Sequence, residues 1–416
     1  MNSTVERFSK LPAVYLLIWA VIALNVAKFW ADLVLGVNHQ LLTLVQTILP
    51  LFVLFLVWKS AGKRNITTIA WGFLFYHIVR LCAELLILLL KDFTFPLFIG
   101  IAFSFLRVSV IFSLFMLLCM DLRGSERYSR LLVFYFLYTT VFSILQLPFS
   151  PVSNTFISYG GNFTSGNGLE IFRANGGLGG TVIMYSNYLL SVFLLLFYSD
   201  VHSKNVQILL WTVFSIVVFL CFSRSLFLSV IAILCLHLCI KKPIYFFILG
   251  AIGVCALYIN WGAILETYLE MIGSSDLSRV DSWRLVVQHA NGLTSLVGQR
   301  SGANTGFFIQ GASKITADGY LLSWYYDYGL IGLGFLLALI WKAVGEVGLN
   351  RVGHYSTFLA LILMMFVNSG FDKMFIVIMY FATLMSLKSS VHFRLLDARS
   401  GDPERIRGIL DWQKNS

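Results

Sequence analysis

The stretch Val218–Leu234, VFLCFSRSLFLSVIAIL, sets one arginine inside a long apolar run. A charge at the centre of a bilayer costs roughly 2.5–3.5 kcal/mol on insertion scales. Either Arg224 is buried at that cost, or Ser223-Arg224-Ser225 is a turn between two spans. A helix needs about 20 apolar residues to cross the hydrocarbon. The apolar run from 206 to 240 is close to two such lengths, so the turn reading places two spans, 206–222 and 225–240, on either side of Arg224.

Applied along the chain, the same criterion gives twelve spans, near 12–35, 41–58, 67–90, 96–120, 131–149, 180–199, 206–222, 225–240, 243–262, 319–341, 355–371 and 374–389. Composition agrees. Of 416 residues 58% are hydrophobic and only 12% charged, where soluble domains carry about 25% charged residues. Such a chain cannot cover a water-facing surface. No polar block reaches the size of a separate domain, so residues 1–416 read as one polytopic, all-α integral membrane domain. The first apolar segment lacks a small-residue cleavage site and reads as a retained helix rather than a signal peptide. Cys82, Cys119, Cys221, Cys235, Cys239 and Cys255 all lie in apolar runs without a Cys-x-x-Cys spacing. They read as small buried hydrophobes, not as disulfides or metal ligands.

Basic residues orient the bundle, because cytoplasmic segments carry an excess of Lys and Arg. With the N-terminus inside, 19 of the 30 Lys and Arg fall on the cytoplasmic side, eight fall outside, and Lys28, Arg80 and Arg107 lie within spans. Both termini are then cytoplasmic, with a basic tail over 390–416. Attraction to the membrane surface accounts for that tail and for the net charge of +10, with no call for nucleic acid.

Two outer segments are long. Residues 150–179 are rich in Gly, Asn and Ser, and residues 263–318 are the largest polar region. Loops beyond about 12–15 residues are usually functional or disordered. The second loop is predicted to be partly helical. Ser278 and Asp281 fit a capping box, and Val280, Trp283, Val286, Val287, Ala290 and Leu293 recur at helical spacing. That helix is expected to lie on the membrane or at the mouth of the bundle. No internal repeat supports an inverted-repeat transporter.

The outside charges differ in kind from the inside ones. Five are Arg, at 173, 224, 279, 284 and 300, against three Lys, at 91, 314 and 373. A guanidinium presents a planar fork of donors suited to phosphate or carboxylate. Five on one face imply an anionic ligand, with pyrophosphate the simplest candidate; the alternative is loop solvation and pairing with Glu170, Asp276 and Asp281. Arg224 alone can equally snorkel to headgroups or cap helix carbonyls. Asp318, where the tenth span begins, is either a dipole partner at a helix start or a general base. Asp327, deeper in that span, reads as structural. Arg80 and Glu84 are one turn apart and can neutralise each other; with Arg107 they read as pinning or as a polar lining beneath the site. His289 is a candidate base. There is no metal-ligand spacing and no nucleotide-type Gly loop, so no metal or cofactor is expected.

The order of these features resembles the bacterial O-antigen polymerase and ligase superfamily, the Wzy-type polymerases. SRS heading an apolar helix resembles that family's helix start. SRVDSWRLVV resembles its Arg-x3-Trp loop helix, and ADGYLLSWYYDYGLIGLG resembles its polar pair, Tyr-Leu and Gly-Leu-Ile-Gly entry into the next span. Arg300 to Gly311, with ten residues between, is similar to a repeat of some polymerases; Arg173 does not reproduce it, since eleven residues on lies Met184. The likeness covers about 173–341. Ligases tend to carry a His where this chain has Asp318, which favours a polymerase.

The resemblance implies a glycosyltransferase of lipopolysaccharide biosynthesis in the inner membrane. It would join undecaprenyl-pyrophosphate-linked oligosaccharide repeat units at the periplasmic face, without a cofactor and with a chain-length regulator membrane protein as a partner. Arg224, Arg279 and Arg300 would hold the pyrophosphate, Arg173 and Arg284 would assist, Asp318 would be the base, and His289 and Tyr320 would line the site. A ligase, a flippase and a scaffolding protein are the alternatives.

Overall fold

The computed structural model describes residues 2–35, 45, 48, 68–90, 95–119, 126–147, 163–164, 170–171, 174–176, 178, 182–199, 203–221, 223–259, 283–288, 292–299, 319–367 and 374–399. The helices are α1 (Asn2–Leu35), α2 (Thr68–Leu90), α3 (Phe95–Cys119), α4 (Glu126–Leu145), α5 (Val182–Tyr198), α6 (Lys204–Cys221), α7 (Arg224–Lys241), α8 (Pro243–Ile259), α9 (Leu293–Val297), α10 (Tyr320–Glu346), α11 (Arg351–Val367) and α12 (Met374–Arg399). A further helical stretch covers 283–288. The expected span at 41–58 lies outside the described residues except for Val45 and Ile48, which are helical. A two-residue antiparallel pair, β1 (Phe163–Thr164) and β2 (Glu170–Ile171), sets Phe163 opposite Ile171 and Thr164 opposite Glu170.

Six of the helices carry stretches long and apolar enough to cross a membrane, among them Thr68–Leu90, Phe98–Cys119 and Tyr320–Glu346. Their outer faces are apolar as well: Phe75 is 70% exposed, Phe134 71% and Phe219 69%. A water-soluble monomer does not display such a girdle of large side chains, and the chain is a multi-pass, all-α membrane protein. The centre belongs to α5 and α12. Every described side chain of α5 from Val182 to Leu196 is buried or half-buried, and α12 is buried along most of Phe375–Leu387. A helix apolar on all sides is one that neighbours surround. Two hydrogen bonds tie helices across this core: Asn25 Nδ2 donates to Tyr135 Oη at 2.9 Å, and Tyr188 Oη to the Leu132 carbonyl at 3.1 Å.

Contacts between helices sort the bundle into two ends. Gly72 faces Phe335 and Gly332 faces Tyr76, so α2 and α10 run antiparallel. Gly319, at the start of α10, abuts the Phe366 carbonyl near the end of α11. Ser229, early in α7, meets Met364 of α11. The starts of α7 and α10 and the ends of α2, α6 and α11 therefore share one end, here termed the loop end. At the other end Lys388 donates to the Leu118 carbonyl at 2.6 Å, and Glu346 pairs with Lys342 at 3.2 Å and with Lys388 at 3.9 Å. Lys241, Lys242 and Arg351 lie at that same end, as the charge rule requires of one membrane face.

The stretch 319–341, expected as one continuous span, is broken. Gly329 lies in α10 with φ 68° and ψ −173°, far from helical values. A side chain there would strike the Leu296 carbonyl, and one at Gly298, φ 87°, would strike the Asp327 carbonyl. Two glycines thus let the chain near α9 lie backbone against backbone on the break. Gly329→Ala should lower stability by about 1–3 kcal/mol from the positive-φ, extended-ψ backbone alone, and by more from the collision. Gly334→Ala, where an added Cβ meets nothing within 4 Å, should leave stability unchanged or raise it by up to about 1 kcal/mol. Unfolding midpoints of the two purified variants test the contrast.

Candidate functional site

Residues 174–176 of the first long loop and 283–288 of the second lie at the loop end. In the first, Ala174 N–H donates to the Leu220 carbonyl at 2.9 Å, joining the residue after Arg173 to the helix that ends just before Arg224. Gln146, at the end of α4, clasps Asn175: its Nε2 donates to Asn175 Oδ1 at 2.6 Å, and its Oε1 accepts from Asn175 N–H at 3.0 Å. Gly176, φ 63°, makes the turn against the Tyr185 ring. In the second loop, Trp283 packs on Phe366 with ring centroids 5.0 Å apart, and buried Val286 packs on Tyr326. The expected loop helix is present over 283–288, with only part of its apolar stripe covered, since Val287 and Leu293 are exposed.

The backbone of Arg224 is the first residue of α7, and Ser223 is its N-cap, accepting from Leu226 N–H at 3.5 Å and contacting Ser225 Oγ at 3.0 Å. The turn reading of this arginine holds: it heads a helix rather than sitting in its middle. A cation at the positive end of a helix dipole is locally unfavourable, whereas an anion bound there satisfies both the free N–H groups and the arginine. Arg284 is exposed on the loop helix. Tyr320 is buried at the start of α10. Arg173, Arg279, His289, Arg300 and Asp318 lie outside the described residues, although Ala174, Gln288, Gln299 and Gly319, beside four of them in the chain, are described.

Beneath this end lies a polar cluster between α2, α3 and the first half of α10. Arg107 Nη2 is 3.5 Å from Asp327 Oδ2, and both side chains are almost wholly buried. The guanidinium carbon of Arg107 lies 4.8 Å from the Trp324 ring centroid and 5.6 Å from that of Tyr320, in cation–π range of both. His77 is fully buried, with Nδ1 2.7 Å from the Phe73 carbonyl, so that nitrogen carries the proton and Nε2 is left as an acceptor. Its ring packs against Tyr328 at 4.6 Å and Trp324 at 5.2 Å. The pair expected on α2 is formed: Arg80 Nη1 is 2.7 Å from Glu84 Oε1. The partner of Asp327, Arg107, and the ring cage of His77, Trp324 and Tyr328 were not legible, because pairing across helices depends on their order in the bundle.

Below Tyr320 a partly open slot of about 110 Å³ runs among α3, α10, α11 and α12. Ile111, Phe115, Leu339, Met365 and Phe381 line it, and Tyr320 and Tyr380 are the only polar side chains on its walls. Among the described residues no group of His, Cys, Asp or Glu could hold a metal ion. No family model and no curated protein matches the chain.

Removing one member of the buried pair should strand the other. Arg107→Met and Asp327→Leu are each expected to cost about 3–5 kcal/mol. The double variant, which buries no charge at the site, should be more stable than either single one. Unfolding of the four proteins in the same detergent completes the cycle.

Proposed function

We propose that the chain is a membrane glycosyltransferase of the lipid-linked polysaccharide polymerase kind, with twelve spans in the bacterial inner membrane, both termini cytoplasmic and the two long loops periplasmic. One observation carries this reading. The segments adjoining Arg173, Arg224 and Asp318, together with Arg284 itself, come to a single end of the bundle, with the segment before Arg300 seated below them on α10 and an apolar slot that begins at Tyr320. An amphiphile with an anionic head and a long tail suits that combination.

In this mechanism the growing glycan, carried on undecaprenyl pyrophosphate, is the donor. A hydroxyl of the incoming lipid-linked unit attacks the donor's anomeric carbon. The bond from that carbon to the pyrophosphate oxygen breaks, and the lipid pyrophosphate leaves with the electron pair. The hydroxyl proton passes to Asp318. Negative charge grows on the leaving group, and Arg224, Arg279 and Arg300 stabilise it, with Arg173 and Arg284 assisting. One such fixed donor is often worth about 3–4 kcal/mol. Bond energy comes from the pyrophosphate linkage, so no nucleotide is consumed. His289 and Tyr320 border the sugar-bearing part of the cleft, a short stretch of the tail enters the slot while the rest lies in lipid, and a chain-length regulator would dock from the membrane.

A transporter is the second reading, favoured by four charges deep in the bundle and by the broken helix α10. Those charges cancel in pairs, which weakens it. A ligase would share the donor chemistry and differ in its acceptor, a lipid core.

Purified protein given lipid-linked repeat units alone should yield longer chains without nucleotide. Arg224→Ala should reduce that product by about 100-fold or more, the loss expected for one transition-state donor, while the variant inserts and purifies normally. Long chains from the variant at normal yield would defeat the assignment of Arg224. Movement of lipid-linked units across vesicles without elongation would favour the transporter. In cells, loss of a polymerase leaves single repeat units attached to the core, whereas loss of a ligase leaves none.

A further inference from the structure

We infer that Arg80 is a positioning residue, a tethered cation that seats residues 292–299 of the second long loop inside the bundle, on the break in α10. Its role in the reaction rests on the polymerase reading above; the seat itself does not.

The geometry is that of a filled cation site. α9 ends at Val297 and the first half of α10 ends at Tyr328, so two helix carbonyl ends meet beside Gly298 and Gly329. Carbonyls at a helix end have no partner within the helix, and they carry the negative pole of the dipole. Arg80 serves the α9 end: Nε donates to the Val297 carbonyl at 2.9 Å, and Nη2 to those of Gly298 and Gln299 at 3.3 and 3.0 Å. Its remaining nitrogen is held by Glu84. Tyr76 Oη adds a donor to the Tyr328 carbonyl at 2.7 Å, with the Val297 carbonyl 3.3 Å away. Gln299 N–H donates to the Tyr326 carbonyl at 2.8 Å.

The seat is deep. Arg80 precedes the last residue of α2 by ten positions, about 15 Å at 1.5 Å per residue. Irregular backbone at that depth is tolerated only where protein satisfies its carbonyls. A lysine would bring a compact ammonium in place of a planar fork and could not span three successive carbonyls. The seat fixes Gln299 as the point from which the rest of the loop departs.

The test uses the full chain with its six cysteines replaced and Val297→Cys as reporter. A membrane-impermeant maleimide should label the Arg80 parent slowly and the Arg80→Ala variant about tenfold faster or more, as local opening exposes the segment. Guanidinium ion should restore protection to Arg80→Ala, while sodium and methylammonium should not. Arg80→Lys and Tyr76→Phe should label at intermediate rates, and they decide the matter if Arg80→Ala does not purify as a single species. Equal labelling of the parent and all three variants overturns the seat.

In the elongation assay Arg80→Ala should lose about 100-fold in kcat, the scale of a 1 Å misplacement, with KM for the lipid donor little changed and activity recovered by guanidinium. Fast labelling with unchanged kcat overturns the positioning role. A parent that never elongates defeats the polymerase reading, and the labelling result still judges the seat.

Discussion

Backbone that leaves the helix inside a bilayer must find its hydrogen bonds in protein, and the architecture of this chain turns on how that demand is met at one joint. The Arg80 guanidinium binds carbonyls of Val297, Gly298 and Gln299 while Glu84 balances its charge. Gly298 and Gly329 supply the positive-φ backbone that lets loop and helix touch. Two residues before the break, Asp327 ties the same piece of α10 to Arg107 of α3. Three helices and a loop segment are therefore fastened at one depth, and no member can shift without exposing a charge or a carbonyl to an apolar surrounding.

The two ends of the bundle are built on different principles. At the basic end, Lys342, Lys388, Glu346 and the Leu118 carbonyl form direct contacts between α3, α10 and α12, which draws these helices together. At the loop end inserted chain lies against the helices: Ala174–Gly176 against α4, α5 and α6, the helical stretch 283–288 against α11, and, deeper, residues 292–299 against α10. Loop segments packed on helix ends bring shape and polar groups. That is where a site for a large, partly polar substrate can be carried without breaching the apolar bundle below it.

Much of this was legible in the residue order. Span positions follow from apolar length, and Ser223-Arg224-Ser225 was readable as a turn because serine caps helices and a buried arginine is costly. Arg80 with Glu84 was readable because a spacing of four places two side chains on one helix face. The break at Gly329 was not, since DYGLIGLG continues the apolar pattern on both sides and glycine is common in membrane helices. Residues 292–299, GLTSLVGQ, are too short and mixed to stand out as anything but loop. Their seat depends on Tyr76 and Arg80, more than 200 positions earlier in the chain, and neither local periodicity nor spacing encodes a contact of that range.

The placement of charge bears on what the loop end is for. Inside the bundle Arg80 and Arg107 each have a carboxylate beside them, which offsets these two charges and contains their desolvation cost. Basic residues at the opposite end follow the ordinary membrane asymmetry. With the long loops placed outside, their arginines run against that asymmetry. Under the polymerase reading proposed above, guanidinium groups at that face are what an anionic ligand would call for. Under that reading an anionic partner from outside would face them, and the apolar slot below Tyr320 would suit one that brings its own hydrocarbon.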